Sequence, residues 1–195
     1  MIGGLDMVRL PDGAIRVTRP SPLRGLTLLP PWLQAILRGG KRLENRGASV
    51  ARRIGTWRGL IALSQSKTWN RGEAIDATCE IVHRGIRPEE GIMRLAKQWA
   101  GKIVGVADLV DVRSPEACAG HPWHAEGQWG LILGRVWEVE PVPCIGSRGM
   151  WWLVDCSLCG AVQGLDGPDA PCRLCKHRGD DWGRVELRVV RECAA

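Results

Sequence analysis

The sequence predicts an α+β fold, a small β-barrel with flanking helices followed by a short cysteine-rich module. Strand-like segments outnumber helical ones, and the two kinds do not alternate regularly as they do in a doubly wound sheet. Four of the eight cysteines also form two C-x-x-C pairs near the C-terminus. We expect an N-terminal strand and extension over residues 1–24, the main domain over 25–154, and the cysteine module with a closing strand over 155–195.

The first half of the chain predicts short strands and one short helix. The stretch "AIRVT" between two turn-forming segments predicts a strand or hairpin arm. In "LPPWLQAILRGG", Pro31 suits the first turn of a helix, and Gly39 and Gly40 suit its C-terminal cap. The run "KRLENR" then follows on a strand or its entry, and "WRGLIALSQS" predicts the next strand.

The second half continues the mixed pattern. The segments "GEAIDATCEIVHRG" and "PEEGIMRLAKQWAG" predict helices, and the first should bury Ile75, Cys79 and Val82 on one face. The segments "GKIVGVADLVDV", "QWGLILGRVWEVEPV" and "GMWWLV" predict strands. After the cysteine-rich stretch, "WGRVELRVVREC" predicts one closing strand of alternating polarity.

Charge and hydropathy narrow the classes of function. The net charge is +6, and residues 1–58 hold 11 Lys/Arg against 3 Asp/Glu. A basic first third favours a polyanionic partner, although an arginine-rich composition explains it equally well. No apolar run approaches the roughly 20 residues that cross a bilayer, and the first residues do not resemble a signal peptide. We therefore expect a cytoplasmic (intracellular) protein with no membrane partner.

The cysteine pattern predicts a metal centre. Cys156, Cys159, Cys172 and Cys175 form C-x₂-C-x₁₂-C-x₂-C. Each C-x-x-C turn points two sulfurs at one ion, and two turns complete a tetrahedral thiolate site. A segment this poor in large apolar residues would take its folding energy from the metal. We expect structural Zn²⁺ in a zinc-ribbon-like module; an iron–sulfur cluster and a pair of disulfides are the alternatives.

Two further groups offer weaker metal chemistry. Cys118, His121 and His124 have the spacing C-x-x-H-x-x-H, but the Pro-Trp between the histidines indicates a loop. Asp108 and Asp111 are the candidates for a catalytic carboxylate pair, although their position predicts that they cap the end of a strand.

Four segments together resemble the ASCH domain, the activating-signal-cointegrator homology domain of the PUA-like superfamily. They are "LTLLPPWLQAILRGGKRLENRG", "TWRGLIALSQSKTW", "GKIVGVADLVDV" and "QWGLILGRVWEVEPVPCIGSRGMWWL". The similarity covers about residues 25–153 and includes G-x-K-x-x-E-x-R after a short helix. It implies a small PUA-like β-barrel with flanking helices and a cleft for nucleic acid, usually RNA.

The resemblance also implies a set of site residues. Lys41, Glu44 and Arg46 correspond to the polar cluster that lines the cleft, and Ser64 and Trp69 to a strand end and a tryptophan beside it. With the neighbouring polar residues, the nucleic-acid-binding set predicted from the sequence is Lys41, Arg42, Glu44, Asn45, Arg46, Ser64 and Trp69.

The residue types in this run suit a nucleotide. Lys41 and Arg46 can meet phosphate, and an arginine can instead read a base edge with two hydrogen bonds. Glu44 can accept a hydrogen bond from an exocyclic amine, and Asn45 can pair with an amide-like base edge. Without the resemblance, a surface strand with internal ion pairs would be the simpler interpretation.

Two features depart from the family pattern. Many relatives have an aromatic residue just after E-x-R, where this chain has Gly47, Ala48 and Ser49, so a stacking wall is missing there. Relatives that hydrolyse an acylated cytidine have Thr at the position of Glu44, which argues against that activity.

Three functions stay open from the sequence. The first is recognition of RNA, or of a modified base in nucleic acid. The second is an enzyme acting on RNA or modified nucleosides, a metal-dependent ribonuclease or an amidohydrolase, with Lys41 as nucleophile or base and Glu44 as proton acceptor. The third is a protein-interaction adaptor whose partner binds the zinc module.

Overall fold

The computed structural model describes residues 6–9, 15–18, 23–68, 70–84, 92–167, 170–176, 182–183, 185 and 187–194. The strands are β1 (Asp6–Arg9), β2 (Ile15–Thr18), β3 (Arg24–Leu28), β4 (Leu43–Arg46), β5 (Gly59–Gln65), β6 (Lys102–Arg113), β7 (Trp129–Pro143), β8 (Met150–Cys156), β9 (Val162–Leu165), β10 (Trp182–Gly183) and β11 (Val189–Cys193). The helices are α1 (Trp32–Arg38), α2 (Ala48–Ile54), α3 (Arg71–His83) and α4 (Ile92–Trp99), with one 3-10 turn at Glu116–Cys118. The predicted α+β class is confirmed.

A mixed sheet of nine strands forms the body of the molecule. Its order is β10-β8-β3-β5-β6-β7-β11, with β4 paired to β7 and β9 paired to β8. Only β3 and β5 run parallel; the other described ladders are antiparallel. The long strand β7 carries β4 on its first half and β11 on its second half. Strands β1 and β2 form a separate antiparallel pair.

The sheet is not closed into a barrel, which corrects the closed barrel expected from the sequence. Among the described residues, no backbone ladder joins β4 to β3. A side chain spans this gap instead, because Nη2 of Arg46 donates to the backbone carbonyl of Thr27 at 2.8 Å. Strands β4 and β3 are therefore linked by this side-chain bond and not by a backbone ladder.

The two faces of the sheet carry separate hydrophobic cores. Helices α1, α2 and α4 cover one face with side chains such as Ile36, Ile54 and Trp99. The other core contains Trp137 and Trp151. The Trp151 ring lies so close to the backbone of β3 and β9 that only glycine fits opposite it at two positions, Gly25 and Gly164.

Helix α3 turns the opposite face inward from the one predicted. Ala74, Ala77 and Ile81 are buried, whereas Ile75 and Val82 are about half exposed and Cys79 is exposed. Small side chains on the inner face let the helix pack closely against the rest of the protein. This close packing decides which face is buried, and the larger apolar residues of the other face stay exposed. The expectation that Cys79 is a buried apolar residue was therefore wrong.

Three further predictions can be compared with the structure. The single closing strand expected from the sequence is wrong, because this stretch forms β10 and β11, which pair with β8 and β7 respectively and lie on different edges of the sheet. The predicted glycine cap of α1 is confirmed, because Gly39 is the C-cap residue and Gly40 after it has a left-handed φ of 66°. The predicted boundary at 154/155 falls inside β8, and the division into domains stays a prediction. Among the described residues, no helix has the length and apolar character needed to cross a membrane.

Replacing Gly25 by alanine tests the packing of Trp151. A methyl group at this position would overlap the indole ring, so we expect the free energy of unfolding to fall by about 1–3 kcal/mol. Urea denaturation monitored by tryptophan fluorescence measures this change. Gly167→Ala is the control, because a methyl group at Gly167 would point into open space. Equal stability of the two variants would contradict the packing described here.

Candidate nucleic-acid cleft and cysteine centre

Glu44 binds two basic side chains at once. Its Oε2 accepts a hydrogen bond from Nζ of Lys41 at 2.5 Å, and its Oε1 lies 3.1 Å from Nη2 of Arg46. Lys41 is 1% exposed and Glu44 is 7% exposed. A regular strand would place Lys41 and Glu44 on opposite sides, but Lys41 and Arg42 precede β4 and do not follow its alternation. The sequence predicted that the two side chains could meet only if the chain departs from a regular strand here, and the structure has this departure.

Burial controls the ionisation of Lys41. Desolvation lowers its pKa, and the nearby charges of Arg46 and Arg84 act in the same direction, whereas Glu44 raises it. The ammonium group also lies 5.6 Å from the ring centroid of Trp32. The side chain is enclosed by protein, so its clearest action is to hold Glu44 in place.

Arg42 and Asn45 are engaged by the protein backbone. The guanidinium of Arg42 donates to the carbonyls of residues 36, 41, 193 and 194. Asn45 donates to the carbonyl of Trp123 at 2.8 Å and accepts from the amide of Ala125 at 2.9 Å. These bonds tie the chain end and the loop before β7 to β4. The cleft described next is lined neither by these two side chains nor by the other predicted residues of the run, Lys41, Glu44 and Arg46.

A large cleft opens at the ends of β3 and β5. It has a volume of about 1400 Å³ and lies between the β7–β8 loop and the turn after the first C-x-x-C pair. Four basic side chains line the cleft, Arg53, Lys67, Arg148 and Arg173, together with one acidic side chain, Asp166. The first three of these are exposed and have no ion-pair partner among the described residues. The cleft therefore has a net positive lining.

Two hydroxyl groups lie at the floor of the cleft and just beneath it. Oγ1 of Thr27 lies 3.1 Å from Oγ of Ser64 and accepts a hydrogen bond from Nε1 of Trp151 at 3.1 Å. A Cβ atom at Gly146 would lie 2.7 Å from Oγ1 of Thr27, so only glycine lets the β7–β8 loop cover this pair. Ser64, predicted from the sequence, thus lies beneath the cleft floor. Trp69 lies outside the described residues.

Gln65 places an unsatisfied polar atom at the cleft. The residue lines the cleft and is 1% exposed. Its Nε2 donates to the carbonyl of Ala96, but its buried Oε1 has no hydrogen-bond partner among the described residues. A buried acceptor without a partner is rare in native structures, and one beside a cleft suits a donor on a ligand.

The four predicted cysteines come together. Their sulfur atoms all lie within 4.8 Å of one another, and no disulfide joins them. The sulfurs of Cys156 and Cys175 are 3.6 Å apart, and those of Cys159 and Cys172 are 3.7 Å apart. Two thiolates bound tetrahedrally at about 2.3 Å to one zinc ion would be about 3.8 Å apart, whereas a disulfide needs about 2.05 Å. The donor set therefore fits one tetrahedral metal ion.

Gln163 supports this centre from β9. It is fully buried, its Nε2 donates to Sγ of Cys172 at 3.0 Å, and its Oε1 accepts from the backbone amide of Arg173 at 2.9 Å. Burial opposes ionisation of Cys172, but hydrogen bonds from Gln163 and the local backbone outweigh it and lower the pKa of the thiol. Lowered thiol pKa values favour the thiolate that metals bind.

The weaker metal candidates do not assemble. Within the part of the chain that the structure describes, the four cysteines are the only cluster with metal-binding geometry. His121 accepts from a backbone amide, and His124 pairs with a backbone carbonyl. Asp108 lies inside β6 and pairs with an arginine at 3.4 Å, so the expectation that it caps a strand end was wrong. Asp111 pairs with two other arginines.

No family model matches the chain. No curated protein matches it with significant similarity either. The residues that line the cleft were missed by the sequence analysis because they come from separate segments with no shared spacing. The one available signal was Arg173, which stands inside the second C-x-x-C pair.

Replacing Glu44 tests the buried ion cluster. Glu44→Gln leaves Lys41 buried without its counter-ion, which should lower the free energy of unfolding by about 3–5 kcal/mol at neutral pH. Burial makes the pKa of Lys41 lower in the folded protein than in the unfolded chain. At pH values between these two pKa values, the unfolded state therefore binds more protons than the folded state. Stability of the variant should therefore rise as pH increases from neutral toward about pH 10.

Urea denaturation at several pH values measures both effects. The double variant Lys41→Met/Glu44→Gln should recover stability and lose the pH dependence, because the buried charge is gone. Glu140→Gln, an exposed position in β7, is the control. A Glu44→Gln variant as stable as this control at neutral pH would contradict the described role of Glu44.

Proposed function

We propose that the protein binds single-stranded RNA in the cleft at the ends of β3 and β5. The observation that carries this proposal is the lining of four basic side chains against one acidic side chain. Phosphate neutralisation by such groups supplies most of the affinity in nucleic-acid binding. A volume of about 1400 Å³ exceeds the roughly 300–1,000 Å³ of ordinary small-molecule pockets and suits a short stretch of polymer.

The floor of the cleft supplies groups for reading a base or a ribose. The hydroxyl of Thr27, which lines the cleft, can hydrogen-bond to an exocyclic amine or a 2′-hydroxyl. The ASCH resemblance supports nucleic acid as the class of ligand, and the polar cluster that it assigns lies beside this cleft, joined to it by the bond from Arg46 to the carbonyl of Thr27. In this proposal the sheet is an open variant of a PUA-like barrel, in which the side chain of Arg46 links β4 to β3.

A binding role agrees with the chemistry of the cleft better than an enzymatic one. Among the described lining residues the sole carboxylate is Asp166, which accepts from Ser147 at 2.9 Å and lies 3.7 Å from Nη2 of Arg173. The carboxylate pair that holds the metal ions in many nucleases is therefore not formed by the described lining residues. The ammonium of Lys41 is enclosed and bound by Glu44, so it is poorly placed to attack a substrate.

We further propose that the cysteine centre holds structural zinc. Four thiolates without an open position are typical of structural zinc sites. Purified, reduced protein should therefore contain about one zinc ion per chain, and Cys159→Ser should lose it. Metal analysis after gel filtration measures the ratio, with Cys79→Ser as the control because Cys79 is exposed on α3, outside the cysteine centre. Iron with visible absorption would indicate a cluster instead, and metal-free protein would contradict both assignments.

A pair of arginines on α2 tests the cleft. Arg53 lines the cleft and its exposed neighbour Arg52 does not, so Arg53→Ala should weaken RNA binding severalfold while Arg52→Ala should not. Fluorescence anisotropy with a mixed-sequence RNA of about ten nucleotides measures the affinity. The plot of log affinity against log salt should have a slope near −3 for four phosphate contacts and lose about 0.7 in Arg53→Ala.

The same experiment distinguishes a reader from an enzyme. RNA recovered after incubation with and without Mg²⁺ should be intact. Repeated cleavage of the RNA would contradict the binding role, and a flat salt dependence would contradict the cleft as a nucleic-acid site.

A further inference from the structure

The β7–β8 loop is held against the cysteine module by backbone bonds. The amide of Ile145 donates to the carbonyl of Val162 at 3.1 Å, and the amide of Gly164 donates to the carbonyl of Ile145 at 2.7 Å. Ile145 thus pairs with β9 at the position of Gln163. The loop that covers the cleft floor and the strand that supports Cys172 are therefore one continuous structure.

Arg173 joins the same two parts through its side chain. Its Nη1 donates to the carbonyl of Gly146 at 3.3 Å, and its Nη2 donates to Oγ of Ser147 at 3.0 Å. Its backbone amide is held by Gln163, and it directly follows Cys172 in the chain. The position of Arg173 is therefore set by the second cysteine turn, and Arg173 in turn holds the loop.

The loop meets the floor of the cleft at Gly146. This residue lies against the hydroxyls of Thr27 and Ser64, so a shift of the loop would uncover or block the floor. A contiguous set of contacts thus runs from the sulfur of Cys172, through Gln163 and Arg173, to the hydroxyl pair.

We propose that metal binding at the cysteine centre organises the RNA cleft, with Gln163 and Arg173 as the positioning residues. This inference rests on the RNA-binding function proposed above. Without the metal, the turn that carries Arg173 loses its anchor, and the loop over Thr27 loses the bonds to Gly146 and Ser147. The cysteine module then forms one wall of the binding site and is not a separate unit.

The test compares RNA affinity in four forms of the full chain. These are zinc-loaded protein, protein stripped by a chelator, Gln163→Leu and Arg173→Lys. Arg173→Lys keeps the charge but cannot bridge Gly146 and Ser147 as the guanidinium does. We expect the stripped protein and both variants to bind the RNA about tenfold more weakly, the effect of losing one or two charge-assisted hydrogen bonds. Arg135→Lys, exposed and away from the cleft, should bind like the wild type.

Two further measurements separate positioning from charge and from loss of metal. Arg173→Lys should retain about one zinc ion per chain and the salt slope of the wild type, because the number of cations is unchanged. Affinities of two ligands for one protein are reciprocally linked, so saturating RNA should tighten zinc binding by the same factor in a competition with a chelator. This tightening should disappear in Arg173→Lys.

Each result decides the proposal. If zinc-loaded protein binds RNA but stripping leaves its affinity unchanged, metal control is excluded and the RNA-binding function stands. If Arg173→Lys binds like the wild type, Arg173 acts through charge alone and the positioning role is excluded, whatever Gln163→Leu does. If zinc-loaded wild type does not bind RNA, the proposed function itself fails.

Discussion

Glu44 joins two buried or half-buried cations that would otherwise repel each other, and through one of them it links β4 to the strand that carries Thr27 of the cleft. Lys41 fills one side of the carboxylate and Arg46 the other. With its guanidinium fixed, Arg46 reaches across to the carbonyl of Thr27 and ties β4 to β3. The side chain of Thr27 pairs with Ser64 beneath the cleft floor. A buried ion cluster thus links two strands of the sheet that share no backbone ladder among the described residues.

Such a cluster is an expensive way to join two strands. Burying charges costs several kcal/mol per ion before their mutual attraction is counted, and an apolar contact of the same volume is often as stable. A carboxylate and a guanidinium have fixed hydrogen-bond geometry, however, so they define the spacing of the strands more closely than apolar side chains do. The cluster therefore gives β4 a defined spacing from the end of β3, where Thr27 also lines the cleft.

The sequence predicts the elements better than the site. Long periodic segments such as β6 and β7 were found correctly, and the cysteine centre followed from spacing alone, because both signals are local. The roles of Arg42 and Asn45 were not predictable, since their partners lie 151 and 78 residues away in the chain. The same holds for the cleft, which gathers cations from four segments that share no pattern. Helix α3 shows a different limit: it has three apolar or small residues on each of two faces, so the neighbouring structure decides which face is buried.

Many arginines of the N-terminal segment contact other parts of the protein, so the cleft obtains most of its basic groups elsewhere. The first 58 residues are strongly basic, yet several of their arginines are used inside the protein. Arg24 lies against the rings of Trp57 and Trp152, Arg58 pairs with Asp111, and Arg46 serves the strand seam. A count of charges in this segment therefore overstates what it offers to a polyanion.

Among the described residues of that segment, Arg53 is the one basic side chain that lines the cleft. The other basic groups of the cleft come from later parts of the chain. Arg173 and the loop before β8 complete the basic wall, and both are positioned by contacts to the strand beside the cysteines. A sheet that used its own arginines for internal structure would offer an incomplete cleft. The segment with the two C-x-x-C turns packs beside this sheet, and its Arg173 supplies one of the basic groups of the cleft wall.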